Sequence, residues 1–338
     1  MTTTVGLIGV GRIGVMHARH LQALADDGVE LVIADVDAAR ARQVAADIGC
    51  RARPNVDELF TGAPGGGSPD GVVIAVGTAA HAPLILRAAE AGIPAFCEKP
   101  VAESTEAALP VLEAVSRLGS TVQIGLQRRL DPGCLAAKEA LDRGDLGWLH
   151  TIRAITADMT PPPVEFLATS GGLFRDCSVH DFDILQWMTG QRIVEVCARG
   201  SNNGDPAIGQ VGDVDTAVAL AELEDGTVAT VSATRYNGAG HDVRLELQGS
   251  AGTLQVGLDD SYAGRSAEPG VRFPAGTPHR TFHERFAEAY RAEMRAFVEL
   301  IRGERENPCP PEEAVDASRV ADAAQESLET GRAVRVRR

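Results

Sequence analysis

A short apolar run over residues 5–10 passes straight into Gly9-Val10-Gly11-Arg12-Ile13-Gly14. Behind it Ile13, Met16, His20, Leu21 and Leu24 recur at helical spacing, and Gly28 closes the segment. A second apolar strand, Leu31–Ala34, then ends in Asp35. Strand, GxGxxG, helix, strand and an acid about 20 residues on is the pattern of a dinucleotide-binding unit. Glycine lets the backbone approach a pyrophosphate, whose charge is met by unpaired amides at the helix N-terminus. Gly9, Gly11, Arg12, Ile13 and Gly14 are therefore the expected phosphate-side contacts. Asp35 is expected to accept hydrogen bonds from the adenosine ribose and to repel a 2′-phosphate, which favours NAD over NADP.

The same alternation continues. A helix is predicted around Ala38–Ile48, then a Gly/Pro-rich loop over Gly62–Pro69. The strand Gly71–Val76, the helix Ala80–Ala91 and the strand Ile93–Phe96 follow, the last leading into Cys97-Glu98-Lys99-Pro100. The helix Thr105–Leu118 and the strand Thr121–Ile124 complete the series. Helices between apolar strands imply a parallel, doubly wound sheet, whose ligands bind beyond the carboxyl ends of the strands. Thr78, His81, Glu98 and Lys99 fall at that edge with Asp35, although Thr78 and His81 also fit a plain helix N-terminus.

Beyond residue 126 the pattern changes. A helix over Leu135–Arg143 and a long strand over Trp148–Met159 lead to strands at Ile193–Arg199, Thr216–Glu222, Val228–Thr234, Val243–Gln248 and Thr253–Val256, with Gly-containing turns. Successive strands of this kind predict an open, mostly antiparallel sheet flanked by helices, an α+β domain following the α/β one. Residues 256–280 read as loop. Glu284–Gly303 and Glu312–Gly331 read as helices, and the basic end Arg335–Arg338 as a solvated terminus. The expected division is residues 1–126 and 127–338, with the helix near 312–331 placed to pack back near the first domain. With 338 residues, two domains are also the expectation from length.

Net charge of −15 argues against nucleic acid or an anionic membrane surface as partner. No apolar run is long enough for a membrane span, and no signal peptide is recognised. Cys50, Cys97, Cys134, Cys177, Cys197 and Cys309 are scattered, with no CxxC. They read as reduced thiols of a cytoplasmic protein, with no metal site expected.

The chemistry concentrates in Gly171–Trp187, GGLFRDCSVHDFDILQW, which holds Asp176, His180, Asp181 and Asp183 among Phe174, Phe182, Ile184, Leu185 and Trp187. Ser178 is expected to cap a helix there, with Asp176 just ahead of its first turn and His180 and Asp183 sharing a face. A histidine beside carboxylates can shuttle a proton near neutral pH. The same pattern also fits a capping aspartate and a core histidine.

Gly9–Gly14, Asp35, Glu98-Lys99-Pro100, the segment 125–132 (GLQRRLDP), the Gly171–Trp187 stretch and Phe286–Glu293 (FAEAYRAE) together resemble the family of glucose–fructose oxidoreductase and inositol dehydrogenase (Gfo/Idh/MocA) over nearly the whole chain. The resemblance implies a Rossmann domain joined to an open antiparallel sheet, often assembled as a dimer or tetramer through that sheet. It implies an NAD-dependent dehydrogenase of cyclitols, with a sugar dehydrogenase or a non-catalytic NAD-binding regulator as the alternatives. The catalytic set maps onto Lys99, Asp176 and His180, and the polyol contacts onto Arg128, Asp158, Asp176, His180 and Asp183. Thr78 and His81 map near the nicotinamide ribose. Inositol dehydrogenases commonly carry a tyrosine in the segment Gly238–Asp242, where this chain has His241. That changed donor leaves myo-inositol, other cyclitols and sugars open as the substrate.

Overall fold

The computed structural model describes residues 2–62 and 67–337; residues 63–66 of the loop expected over Gly62–Pro69, and Arg338, lie outside them. The chain forms two compact units, residues 1–127 with 288–315 and residues 128–287 with 316–338. The segment 288–315, expected with the second domain, thus groups with the first.

In the first unit β1 (Thr3–Ile8), β2 (Val29–Ala34), β3 (Arg51–Ala52), β4 (Gly71–Ile74), β5 (Ala95–Glu98) and β6 (Val122–Gly125) form a parallel sheet in the order β3-β2-β1-β4-β5-β6. Strands covered on both faces are apolar at nearly every position, which is why β1 and β4 read as unbroken hydrophobic runs. One face buries Leu7, Ile33 and Val73 with Ala18 and Leu21 of the helix Arg12–Gln22 and with Met294 and Phe297 of the helix Ala287–Ile301. The other buries Ile8, Ile74 and Ile124 with Ile85, Val111 and Val315. A Cβ at Gly71 would lie 2.3 Å from Ile301, so this glycine admits the late helix onto the sheet. The helix ends at Gly28 and Gly49 are left-handed, as sequence reading expects of C-terminal glycines.

The second unit is built on β7 (Leu149–Ala157), β8 (Ile193–Ser201), β9 (Thr216–Leu223), β10 (Val228–Thr234), β11 (Asp242–Gly249), β12 (Thr253–Val256) and β13 (Val334–Arg335), in the order β12-β11-β7-β10-β9-β8-β13. All neighbours are antiparallel except β7 and β10, which run parallel in register from Val228↔Thr151 to Thr234↔Ala157. The alternation of β9, with Ala217, Ala219 and Ala221 buried between outward side chains, marks one covered face. That face packs on the helices Pro132–Asp142, Val179–Thr189 and Pro311–Thr330 through Ala137, Phe182, Leu185, Val320 and Ala324.

The basic end is solvated as expected, with Arg335 and Arg337 exposed, and Val334 pairs with Val196 to add an edge strand while Arg337 reaches Glu326 at 3.0 Å. One expectation is corrected. Ser178 is no N-cap, for the helix already runs from Leu173, and residues Phe174–Ser178 form one turn of π-helix leading into Val179–Thr189. Ser178 is fully buried within that helix. The cap comes from far along the chain, because Asp213 Oδ1 accepts the Leu173 amide at 2.9 Å. A short polar side chain caps wherever its oxygen meets a free amide, so sequence proximity alone misplaced this start.

Candidate active site

Gly9–Gly14, Asp35, Thr78, His81 and Lys99 follow the carboxyl ends of β1, β2, β4 and β5, on one edge of the first sheet. The three glycines do different things. Gly9 has φ +92°, and a Cβ there would press on the Ala75 carbonyl at 2.5 Å. A Cβ on Gly14 would lie 1.9 Å from the Gly9 oxygen, so Gly14 closes the turn against the helix. At Gly11 a Cβ would meet nothing within 4 Å, and no side chain caps the helix that begins after it. The open space at Gly11, beside a helix N-terminus that no side chain caps, fits the approach of a pyrophosphate. Arg12 is exposed and Ile13 half-buried beside it. Asp35 accepts the Val10 amide at 2.7 Å through one oxygen and the Asp37 amide at 2.9 Å through the other. The acid at the end of β2 is thereby tied directly to the glycine turn.

Thr78 is half-buried at the start of a 3₁₀ turn whose cap is Gly77, so its hydroxyl is not the cap. His81 is buried, with Nδ1 donating to the Pro100 carbonyl at 2.6 Å and Nε2 3.2 Å from that of Val76. It joins the loops that follow β4 and β5, and the Lys99–Pro100 peptide it touches is cis. Glu98 Oε1 lies 2.6 Å from Nε2 of the buried His17. Glu293 completes this group, the three ligand atoms lying within 4.8 Å of one another, close enough to be considered for a metal ion. Burial, and then the charge of Glu98, push the Glu293 carboxyl well above the usual carboxylate range. Its Oε2 is buried without a hydrogen-bond partner, as suits a neutral acid.

The second unit gathers most of the remaining candidates. The parallel pairing of β7 and β10 brings the ends of both strands together, and the Asp158 amide donates to the Thr234 carbonyl at 2.9 Å. Asp158 Oδ1 lies 3.1 Å from Nδ1 of His241, which stands just ahead of β11. Cys177 Sγ is 3.8 Å from Asp158 Oδ2 and 3.9 Å from Asp176 Oδ2, so the π turn is set against the same strand ends. Asp176 and His180 are half-buried four positions apart along the helix. Asp158, Asp176 and His241 thus belong to one polar region, with His180 four positions along the helix from Asp176, whereas Lys99 lies in the other compact unit.

Arg128 and Asp183 are placed differently. Arg128 donates to Asp181 at 2.5 Å and to Thr156 at 2.9 Å, and the Thr156 hydroxyl in turn donates to Asp181. Asp183 is held by Arg129. Both ion pairs are buried. Burial raises the proton affinity of Asp181, and the Arg128 charge and the Thr156 and Arg128 hydrogen bonds oppose it. The resemblance maps Arg128 and Asp183 onto the polyol; in the structure both form salt bridges that involve Asp181 and Asp183 of the helix that carries His180.

Sequence reading also missed residues. His17 and Glu293 interrupt the apolar stripes of their helices, Gly14/Ala18/Leu21 and Tyr290/Met294/Phe297. An ionisable residue at a stripe position was the available signal. Arg235, fully buried between Asp176 and Asp213, continues the buried phase Ala229, Val231, Ala233 of its strand, so its signal was likewise a charge at an apolar position.

Residues 3–126 match the model of an oxidoreductase family, NAD-binding Rossmann fold, and residues 138–336 that of an oxidoreductase family, C-terminal alpha/beta domain, both of the GFO_IDH_MocA group. The chain is 36% identical over 335 residues to the myo-inositol dehydrogenase Hyg17 of Streptomyces leeuwenhoekii, covering 97% of this chain and 98% of that one. A crystal structure of a myo-inositol dehydrogenase from Corynebacterium glutamicum superposes with TM-score 0.90 at 34% identity, covering 100% of both chains. The scyllo-inositol dehydrogenase of Lactobacillus casei with bound NAD(H) and scyllo-inositol superposes with TM-score 0.87 at 28% identity, covering 99% of both. Among the described residues, no helix is long and apolar enough to cross a membrane.

Proposed function

Because the chain belongs to the Gfo/Idh/MocA oxidoreductase family, we propose that it is an NAD-dependent dehydrogenase that oxidises a secondary alcohol of a cyclitol to the ketone. The observation that carries this reading is the polar region of the second unit. Asp158 paired to His241, with Asp176 joined to Asp158 through Cys177 and His180 four positions further along that helix, offers the acceptors and donors that a ring of hydroxyls needs. The open cradle at Gly11 and the anchored Asp35 supply the fit for NAD.

Bound NAD accepts the hydride from the carbinol carbon. His180 is assigned as the base that takes the hydroxyl proton, with Asp176 stabilising the imidazolium that forms. Lys99 is assigned to hydrogen-bond the hydroxyl oxygen and stabilise developing alkoxide. Asp158 and His241 hold further hydroxyls, and Arg128 and Asp183 act on the substrate region through their salt bridges. Thr78, His81 and Glu98 shape the cofactor side.

His241 in the position where a tyrosine is expected favours a second reading, a sugar dehydrogenase using the same Lys99 and His180. Assembly as a homo-oligomer, dimer or tetramer, is supported by Val218 and Leu220, about half exposed on the open face of the second sheet. A cytoplasmic location is supported by six cysteines without a disulfide.

The test is a screen of cyclitols, aldoses and linear alcohols with NAD, following absorbance of the reduced nicotinamide, on wild type and His180→Ala. A cyclitol should give the highest kcat/KM, and the variant should lose roughly 10²–10⁴-fold in kcat. A linear alcohol turned over better than every cyclitol and sugar would sink the assignment.

A further inference from the structure

Arg235 is fully buried, yet it lies one residue beyond β10, where an arginine ordinarily turns to solvent. Its backbone amide donates to the Asp215 carbonyl at 2.8 Å, and its side chain continues the inward-facing series Ala229, Val231 and Ala233. Nη1 donates to Asp176 Oδ2 at 3.1 Å and Nη2 to Asp213 Oδ2 at 3.0 Å. The other oxygen of Asp213 accepts the amides of Leu173 and Val214, at 2.9 and 2.8 Å. One guanidinium thus ties the residue that caps the helix to the carboxylate in its π turn.

The balance of charge makes this more than packing. Burial alone would loosen the guanidinium proton, but the neighbouring Cys177, Asp176 and Asp213 more than reverse that, so the cation persists. Around Asp176 stand Cys177 and His180 from its own helix, Asp158 from the end of β7 with His241 ahead of β11, and Asp213 from the loop before β9. Arg175, beside it in the turn, is engaged by Asp322. A carboxylate among other carboxylates gains protons easily unless a cation is fixed to it.

We propose that Arg235 is a positioning residue for the dehydrogenase reaction: its two-pronged bridge to Asp213 holds Asp176 in one orientation and keeps it ionised. The inference rests on the reading that Asp176 serves the substrate site. Arg235 itself touches neither cofactor nor substrate in this scheme. A role limited to stability would cost folded protein and leave the pH profile of the folded enzyme in place.

The experiment compares Arg235→Ala, Arg235→Lys and Asp176→Asn with wild type, using the cyclitol oxidised fastest and saturating NAD. Folded fraction, NAD affinity, and kcat and kcat/KM from acid to neutral pH are read for each. In Arg235→Ala, kcat should fall by about 10²-fold, the scale of a misplaced catalytic group, with NAD affinity unchanged. Its acid limb should move up by about one pH unit or more, as expected when an arginine is withdrawn from an aspartate. Millimolar guanidinium should restore several-fold of the lost rate, and urea at the same concentration should restore none. Arg235→Lys keeps the charge without the fork; it should hold the acid limb and lose about tenfold in kcat. It also serves as the test protein if the alanine variant does not fold. An unmoved acid limb with no guanidinium rescue in folded Arg235→Ala overturns the proposal, as does wild-type kcat in Arg235→Lys. Full activity in Asp176→Asn would instead overturn the underlying assignment of Asp176, whichever way the arginine variants behave.

Discussion

Arg129 grips Asp183 with two nitrogens, Nε 3.0 Å from Oδ2 and Nη2 2.5 Å from Oδ1, and both side chains are almost wholly buried. Removing one partner of such a pair leaves the other charge uncompensated in a low-dielectric interior. Asp183→Ala should therefore lose about 3–5 kcal/mol of stability. Urea unfolding checks this, and a midpoint equal to wild type would show that the pair contributes nothing to the fold.

Gly11 and Gly14 should separate cofactor binding from folding. A methyl at Gly11 meets no protein atom, and its φ of −69° suits alanine. Gly11→Ala should keep the wild-type Tm without cofactor and weaken NAD binding by at least about tenfold. A methyl at Gly14 strikes the Gly9 carbonyl, so Gly14→Ala should lower Tm in the absence of NAD. Undiminished NAD affinity in Gly11→Ala, by calorimetry, would remove the pyrophosphate from this turn.

Asp35 should set the choice between NAD and NADP. Its carboxylate is fixed by the Val10 and Asp37 amides at the end of β2, where an added 2′-phosphate would meet a like charge. Repulsion of about 1–4 kcal/mol between unit charges a few ångströms apart predicts a preference for NAD of at least tenfold in kcat/KM. Asp35→Ser should narrow it. Equal use of both cofactors by wild type would reassign the determinant.

Glu293 should make stability depend on pH in a specified direction. Its folded-state pKa is raised above the ordinary 4.5. The native state therefore holds the proton more tightly than the unfolded chain, so the contribution is complete below 4.5 and is lost as pH rises toward the folded value. Glu293→Gln, which imitates the neutral acid, should gain on wild type as pH rises above the ordinary 4.5. Denaturation curves at several pH values decide it, and a constant difference between the two proteins would mean that Glu293 is held as an anion.

Much of the molecule was legible in one dimension because its signals are local. Strand, glycine turn, helix, strand and acid are spaced by the geometry of a single βαβ unit, so Gly9–Gly14 and Asp35 could be placed without a partner in view. The buried strands of the first sheet and the alternation of β9 and β10 likewise follow from which faces are covered. Asp158, Asp176, His180 and His241 were named from residue type, spacing and resemblance.

What the amino-acid order determined by itself is therefore the fold class, the nucleotide turn and the short roster of chemically able side chains. Tertiary structure alone decided which partners they take. Arg128 and Asp183 were named as polyol contacts by resemblance, and only the fold shows Asp181 and Arg129, 53 and 54 positions away, closing on them. Ser178 looked like a cap until Asp213, 40 residues beyond Leu173, supplied it. Arg235 continues the inward phase of its strand, but its partners Asp176 and Asp213 lie 59 and 22 residues away. The physical reason is common to all four: a buried charge or amide must be satisfied wherever it ends up, and its partner is chosen by proximity in space.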